Sequence, residues 1–392
     1  MFLNIAILAV TALTALALAR PKLRANKRLS AMITPLASII GSGFLVLGPI
    51  LDHRFGAYAP LAMAALCAVG WLFGAAIRAN ILTETAPETR LTQSIERASE
   101  LTLAFAYVIS VAYYLNLFGA FAVSLTPWDS AFSAKVVTTA ALLLVAFAGQ
   151  TGGFKALERM EYFTVSLKLA IIAGLIFGLA QYFGKQALTG ALIVTPPSLT
   201  GWDAARLMFG LIVTVQGFET ARYLGATYKA ETRVAAMKQA QWVSSAIYMI
   251  YIGLLAWLFA PDPGALTETA IIDMMQVVAP ILPLLLVAAA LSAQFSAAVA
   301  DTGGAGGLIS ELSGGKIKPR PAYLLLVALG VGLTWAADLF AIIAYASRAF
   351  AAYYALQSAL AAVRETGGKR IGFAALAALG AMMAVLGVSA EG

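Results

Sequence analysis

The feature that most constrains this chain is a succession of apolar runs, many about 20 residues long, separated by short connections that carry most of the charges. A helix needs about 20 consecutive apolar residues to cross a hydrocarbon core about 30 Å thick. Of the 392 residues, 61% are hydrophobic and 11% are charged, against about 25% charged in an ordinary soluble domain. Because the runs are continuous and do not alternate, they predict helices and not the strands of a membrane barrel. The sequence is typical of an all-α, multi-pass membrane protein.

The charges between the runs predict how the chain crosses the membrane. Five basic residues between Arg20 and Arg28 directly follow the first run. They predict that this run is a retained membrane anchor whose C-terminal end lies in the cytoplasm. A cleavable signal peptide, the alternative, would carry its basic residues first. With this orientation, 20 of the 26 Lys and Arg residues lie in cytoplasmic connections and four in outer ones. The positive-inside rule therefore predicts a protein of the inner or plasma membrane with both termini outside. The predicted spans number about twelve, at 2–19, 31–51, 57–81, 99–125, 134–151, 161–184, 203–227, 239–260, 278–301, 321–337, 339–363 and 371–388.

Other function classes find no support in the residues. The net charge of +7 is scattered through short connections, so no basic surface for a nucleic acid is predicted. The single His53 and single Cys67 cannot form a metal cluster or a Ser-His-acid arrangement. The glycines at 303–307 lack the Gly-Lys-Ser/Thr ending of a phosphate loop. We therefore expect no enzyme activity, no metal and no cofactor.

A first unusual stretch, SIIGSGFLVLGP at 38–49, has glycines in the middle of a predicted span. Gly41 and Gly43 each cost about 1 kcal/mol in a helix, and Ser42 between them competes for backbone hydrogen bonds. The stretch therefore predicts a local break in the helix. In lipid, such a break is tolerated only where the freed backbone groups face protein, water or a ligand. It indicates either a binding site or a seam of small residues between packed helices.

A second such stretch, TVQGFETARYLG at 214–225, lies five predicted spans later. It contains Gly217, Phe218 and Glu219, and a carboxylate at that depth is rare and usually functional. Because five is an odd number, a repeated unit of five helices has to insert upside down. This arrangement is that of inverted-repeat transporters, in which two interrupted helices meet near the midplane and expose half-helix ends of both polarities.

The residues Ile40 to Phe44 and Gly217 to Glu219 resemble the amino acid-polyamine-organocation (APC) superfamily of transporters. The resemblance implies a LeuT-type fold of two inverted five-helix repeats, at 31–184 and 203–363. It leaves residues 1–30 as an extra N-terminal anchor with a basic linker, and 364–392 as an extra C-terminal helix. It further implies that backbone amides at Ser42, Gly43 and Phe44 bind a substrate carboxylate. Carbonyls around Ile39, Val215 and Gly217 would receive the amino group, which places the site at Ile39, Gly41, Ser42, Gly43, Phe44, Val215, Gly217 and Phe218.

Two charged residues inside spans are candidates for coupling. The ammonium group of Lys168 either reaches the cytoplasmic surface by snorkelling or, as the resemblance implies, occupies the place of a sodium ion in sodium-dependent relatives. Glu219 either carries a coupled proton or is a structural acceptor for freed backbone amides, with Arg222 one turn away. A fixed ammonium group and a bound sodium ion would repel each other, so Lys168 predicts sodium-independent transport.

Further polar residues in the spans leave their roles open. Asp301 and Arg348 either pair across the bundle or lie separately at interfaces. Some tyrosines on two core helices are expected to line the central cavity, although a lipid-interface belt is the commoner place for any one of them: Tyr107, Tyr113, Tyr114, Tyr345, Tyr353 and Tyr354.

Together these features predict a secondary transporter of an amino acid or related small organic amine. It would work by alternating access, coupled to protons or to exchange, with lipid as its surroundings. A non-transporting membrane sensor or assembly protein with the same fold is the alternative. Substrate identity depends on cavity-facing positions that no motif determines.

Overall fold

The computed structural model describes residues 2–20, 26–41, 43–85, 89–151, 161–225, 227–260 and 266–390. In these ranges the backbone forms helices and no strands, as the long apolar runs predict. The α-helices, in chain order, are α1 (Phe2–Leu18), α2 (Lys27–Gly41), α3 (Phe44–Phe55), α4 (Ala59–Leu82), α5 (Arg90–Val123), α6 (Ala131–Thr151), α7 (Glu161–Leu188), α8 (Gly201–Gly210), α9 (Ala230–Leu255), α10 (Ala270–Val278), α11 (Leu282–Leu312), α12 (Pro319–Ala336), α13 (Leu339–Arg364) and α14 (Gly367–Leu386). Short 3₁₀ helices lie at Gly56–Tyr58, Ile212–Val215 and Phe218–Leu224.

Seven helical stretches in the described ranges are long and apolar enough to cross a membrane. One of them is Phe44–Leu82, in which α3 and α4 follow each other across a 3₁₀ turn. The halves of the interrupted helices do not qualify by themselves, because α2 and α8 have only 15 and 10 residues. A multi-pass membrane protein is thus confirmed, and the twelve predicted spans stay a prediction. The seven stretches are Phe44–Leu82, Arg90–Val123, Ala131–Thr151, Phe163–Leu188, Leu282–Leu312, Leu339–Arg364 and Gly367–Leu386.

Some helices extend well beyond the apolar runs that predicted them. The span predicted to begin at 99 begins at Arg90, because Thr89 and Thr92 form a capping box before the polar first turns. The amide of Thr92 donates to the Thr89 hydroxyl at 3.2 Å, and the amide of Thr89 donates back to Thr92 at 2.9 Å. At the same end of the bundle, α11 continues to Leu312, past the predicted end at 301. Hydropathy marks the membrane boundary, whereas capping marks the end of the helix.

The long helix α5 lies at the centre of the bundle and packs against α11, α13 and α6. Most of its second half is buried, including Tyr113 and Tyr114, which are fully enclosed. Helix α1 packs against α7, where the side chain of Ile7 is fully buried and Gly174 leaves room for Thr11. These contacts place the first helix against the bundle, and α14 packs in the same way on α13.

Gly380 lets the backbone of α14 pack directly against the backbone of α13. A Cβ atom on Gly380 would lie 2.9 Å from the amide nitrogen of Ala355 and 3.0 Å from the carbonyl oxygen of Ala351. A Cβ on Gly372, in the same helix, would meet nothing within 4 Å. Small residues of this kind permit close helix contacts in membranes.

We therefore predict that Gly380→Leu separates α14 from α13 and destabilises the protein by about 1–3 kcal/mol, the usual cost of overpacking. The melting temperature of the detergent-purified protein measures this effect. Gly372→Leu, on an open face of the same helix, is the matched control and should leave the melting temperature unchanged. Equal melting temperatures for the two variants would show that the two helices do not touch at Gly380.

Candidate functional site

The first membrane helix of interest is interrupted between Gly41 and Phe44. Helix α2 ends at Gly41, Gly43 lies between the helices, and α3 begins at Phe44. Ser42 lies outside the described residues. The described backbone is thus broken at the position that the two glycines indicated, and α2 presents its carbonyl end where α3 presents its amide end.

The second interrupted helix loses regular α-helical pairing after Gly210. A 3₁₀ turn at Ile212–Val215 is followed by extended Gln216, by Gly217 and by a second 3₁₀ stretch at Phe218–Leu224. Gly217 has φ +115°, a conformation that residues with a Cβ atom rarely adopt. Glycine at position 217 therefore permits the backbone conformation that interrupts this helix.

The two interruptions are in direct contact. The hydroxyl oxygen of Tyr248, on α9, lies 3.1 Å from the carbonyl oxygen of Ile39 and 2.7 Å from that of Thr214. A Cβ atom on Gly217 would lie 2.4 Å from the Ser38 hydroxyl oxygen, so the two backbones touch there. One buried hydroxyl group thus lies within hydrogen-bonding distance of a carbonyl group from each of the two breaks.

Side chains also satisfy other backbone groups at the breaks. The amide of Val213 donates to the Ser347 hydroxyl oxygen at 3.1 Å, and the amide of Gly217 donates to the Glu219 carboxylate at 2.9 Å. Unpaired backbone groups in a membrane cost several kcal/mol each, so these partners stabilise the two irregular segments. Ser347 and Thr214 had not been predicted to belong to the site.

Lys168 lies at the carbonyl end of α2. Its side chain is buried, and its ammonium group donates to the carbonyl oxygen of Ala37 at 2.8 Å. The same nitrogen lies 3.4 Å from the position of a Cβ atom on Gly41. The ammonium group is therefore at the first interruption and not at the membrane surface, as snorkelling would require. A positive charge is favourable there, since the carbonyl end of a helix carries partial negative charge.

Glu219 is fully buried beside the second interruption. One carboxylate oxygen, Oε2, accepts hydrogen bonds from the amide of Gly217 and the hydroxyl of Tyr354, each at 2.9 Å. The other oxygen, Oε1, is buried without a hydrogen-bond partner among the described residues. Arg222 instead forms an ion pair with Glu96 at 2.6 Å. Glu219 thus accepts a hydrogen bond from a backbone amide that the break leaves outside the helix. It has no ion pair with Arg222 among the described residues.

Aromatic side chains pack around both breaks. Phe44 lies against Tyr251 with ring centroids 4.4 Å apart, and Phe218 stacks on Tyr354 at 5.2 Å. A Cβ atom on Gly70 would lie 3.5 Å from Val215, which brings α4 against the second break. The predicted residues Ile39, Gly41, Gly43, Phe44, Val215, Gly217, Phe218, Glu219 and Lys168 therefore all lie at or beside the two interruptions.

The tyrosines correct part of the sequence analysis. Five of the six that were considered are buried, so a lipid-interface belt is wrong for them, and only Tyr345 among the six is exposed. Tyr248 and Tyr251, which touch the site, were not singled out. Their spacing of three residues puts them on one face of α9, but sequence alone does not indicate which way that face points.

The site is closed in this structure. The cavity lined by Ser38, Lys168, Ser296 and Asp301 has a volume of about 30 Å³, and that beside Gly41 and Phe44 about 20 Å³. Small-molecule sites usually measure about 300–1,000 Å³. A solute of ordinary size can enter only after the helices move.

Polar contacts close the bundle on both sides of the breaks. On the Leu224 side, Arg222 contacts both Glu96 and the side chain of Gln357. On the opposite side, the segment that follows α14 lies across the second interrupted helix, where the amide of Val388 donates to the Arg206 carbonyl at 3.2 Å. Arg54 reaches the carbonyl oxygen of Ala390 in the same segment. Both interrupted helices are thus tied to their surroundings at the ends remote from the site.

We predict that Gly217→Ala destabilises the second interruption by about 1–3 kcal/mol, because alanine is strained at this φ and its methyl group would collide with Ser38. The melting temperature should fall accordingly. Gly253→Ala, in α9, is the matched control, because its methyl group would meet nothing within 4 Å. A Gly217→Ala protein as stable as the control would mean that position 217 does not adopt this backbone conformation.

Comparison with known proteins identifies relatives of this chain. Residues 21–387 match a family model described as APC superfamily transporter. A protein of Aquifex aeolicus (strain VF5), described as uncharacterized, is 41% identical over 350 residues, which cover 87% of this chain and 85% of the relative. The family match includes both interrupted helices and the residues that bridge them.

Proposed function

We propose a mode of transport for this chain, which belongs to the APC superfamily of transporters. The chain is a secondary active transporter of an amino acid or related small organic amine. It works by alternating access, coupled to protons or to exchange, and does not depend on sodium. The observation that supports this proposal most is the contact between two interrupted membrane helices, bridged by Tyr248.

The substrate is bound by backbone groups at the breaks. Its carboxylate is placed at the amide end of α3, at Gly43 and Phe44 together with Ser42, where the partial positive charge of a helix start is favourable. Its amino group is placed near the carbonyls of Ile39, Val215 and Gly217. The Tyr248 hydroxyl group now lies within hydrogen-bonding distance of the Ile39 carbonyl oxygen, and a substrate amine would replace it there.

The architecture proposed for this function is the LeuT-type fold. Repeats at 31–184 and 203–363 form the ten-helix core, with a preceding anchor at 1–30 and an added helix at 364–392. Twelve spans then put both termini outside the inner or plasma membrane. In support, each proposed repeat begins with an interrupted helix, and the two interruptions meet.

Alternating access requires the contacts on the two sides of the site to open in turn. The Arg222–Glu96 ion pair lies on the cytoplasmic side of the proposed topology, and the Arg54–Ala390 hydrogen bond on the outer side. In the present structure both of these contacts are formed, and the cavities at the interrupted helices are small. It therefore fits the occluded stage of a transport cycle.

Lys168 and Glu219 are the proposed coupling residues. The ammonium group of Lys168 already supplies a positive charge at the end of α2, so a sodium ion there would be repelled by several kcal/mol. Glu219 holds the amide of Gly217 through one oxygen and has a second, buried oxygen that can carry a proton. A change in its protonation would act directly on the second interruption.

A non-transporting sensor or assembly protein with this fold is the alternative function. Such a protein has no physical need for a buried ammonium group and a buried carboxylate beside two broken helices. Uptake measurements separate the two functions.

The deciding experiment is uptake of a panel of labelled amino acids and organic amines into proteoliposomes. Uptake is measured with and without an inwardly directed proton gradient, and with sodium replaced by choline. We expect at least one labelled compound to accumulate, with the same rate in choline as in sodium. If correctly inserted protein accumulates or exchanges no compound, the alternative function is favoured.

We predict that Lys168→Ala lowers the uptake rate about tenfold or more, because it removes a charged hydrogen bond worth about 1.5–3 kcal/mol at the first interruption. Lys185→Ala, at the exposed end of the same helix, is the control and should transport at the normal rate. Uptake should stay sodium-independent in the control. Normal uptake by Lys168→Ala would remove Lys168 from the coupling mechanism.

Glu219→Gln should abolish the response of uptake to a pH gradient while exchange at equal pH continues. Glutamine keeps an acceptor oxygen for the Gly217 amide and the Tyr354 hydroxyl but cannot gain or lose a proton in this range. Initial uptake rates from pH 5 to 8 measure the effect, with exposed Glu231→Gln as the control. An unchanged pH profile with a lower melting temperature would assign Glu219 a structural role only.

A further inference from the structure

Arg348 is a charged residue on the surface of a candidate membrane span. It lies within α13, which has 26 residues and is among the helices long and apolar enough to cross a membrane. At about 1.5 Å per residue, Arg348 is roughly 13 Å along the helix from Leu339, within a stretch long and apolar enough to span the membrane. Its side chain is exposed on the outside of the protein. A charged group in that position is costly unless something pairs with it.

The protein itself provides only part of that pairing. The Nε atom of Arg348 donates to the carbonyl oxygen of Ala384, in the last turn of α14, at 2.8 Å. No ion pair among the described residues includes Arg348. Asp301, the other candidate partner, accepts a hydrogen bond from Ser110 instead. Since a guanidinium group has five N–H donors, most of its donors are available to a further acceptor.

The guanidinium group borders a pocket of about 500 Å³ between α5, α12, α13 and α14. This volume lies within the range of about 300–1,000 Å³ that is usual for sites of small molecules. It is also far larger than the cavities of about 30 and 20 Å³ at the interrupted helices. Apart from Arg348 and the Tyr345 hydroxyl group, its walls are apolar side chains: Phe105, Val108, Ile109, Leu329, Leu333, Ala349, Ala352 and Ala384.

We propose that this pocket binds an anionic phospholipid. An acyl chain lies against the apolar walls, and the phosphate group accepts hydrogen bonds from the guanidinium group of Arg348. The planar guanidinium fork matches the geometry of a phosphate group and is more weakly hydrated than an ammonium group, which suits it to this place. The long arginine side chain can reach from its Cα position towards the headgroup level.

The combination of charge and surroundings selects this occupant. A zwitterionic lipid adds its own positive group beside the arginine, whereas an anionic lipid provides a net negative charge. A soluble anion would lack the apolar part that fills the pocket walls. The site is separate from the interrupted helices, so it does not depend on the proposed transport function.

The test compares binding of dioleoyl phosphatidylglycerol and dioleoyl phosphatidylcholine to the full chain purified in detergent. Native mass spectrometry counts retained lipid, and the melting temperature is followed as each lipid is added. We expect phosphatidylglycerol to bind about fivefold more tightly, the factor for about 1 kcal/mol per basic residue near anionic lipid. Arg348→Gln should remove this preference. Arg370→Gln, which removes the same charge at an exposed position of α14, should keep it.

A second variant tests the pocket without changing the charge. Ala352→Phe places a ring in the apolar space and should reduce retention of both lipids several-fold while Arg348 is intact. Equal binding of the two lipids by the normal protein would overturn the proposal, as would an unchanged preference in Arg348→Gln. Disulfide cross-linking of two copies through Ala352→Cys, with or without added lipid, would assign the pocket to a second copy of the chain and would also overturn it.

Discussion

Every backbone amide and carbonyl group in the hydrocarbon region needs a hydrogen-bond partner inside the protein, and the two interrupted helices are where this requirement is hardest to meet. Regular helices meet it by themselves. At the breaks, side chains from other helices take over: Tyr248 bridges the carbonyls of Ile39 and Thr214, and Ser347 accepts from the amide of Val213. The irregular backbone is thus stable only because α9 and α13 are packed beside it.

The same requirement links structure to proposed function. Partners such as the Tyr248 hydroxyl group satisfy backbone carbonyl groups at the breaks while the site is closed, and in the proposed function a substrate would replace them. Lys168 adds a positive charge at the carbonyl end of α2, and Glu219 holds the amide of Gly217 at the second break. Two ionisable groups therefore contact the interrupted helices, one at each break, and these are the segments that move in the proposed mechanism. The Arg348 pocket faces outward, away from these segments, and involves the surroundings of the bundle.

The sequence analysis was most successful at the two breaks. Gly43 lies between α2 and α3, and Gly217 has a positive φ, so both breaks fall on glycines that single stretches of sequence indicated. Glycine alone does not decide this, because α11 continues through the glycines at 303–307. The length of apolar runs likewise predicted membrane helices. Helix ends were less accurate, because α5 begins at a capping box nine residues before the predicted span. The partners of the breaks were not predictable, since the role of Tyr248 depends on the rotation of α9 and on which helices are neighbours.

The most direct test of the account is an experimental structure of the chain in lipid nanodiscs at a resolution that shows side chains. We expect both helices to be interrupted, near Gly43 and at Gly217, with the Tyr248 hydroxyl group within hydrogen-bonding distance of carbonyl groups from both. A regular helix through either position, or two breaks too far apart for one side chain to reach, would contradict it.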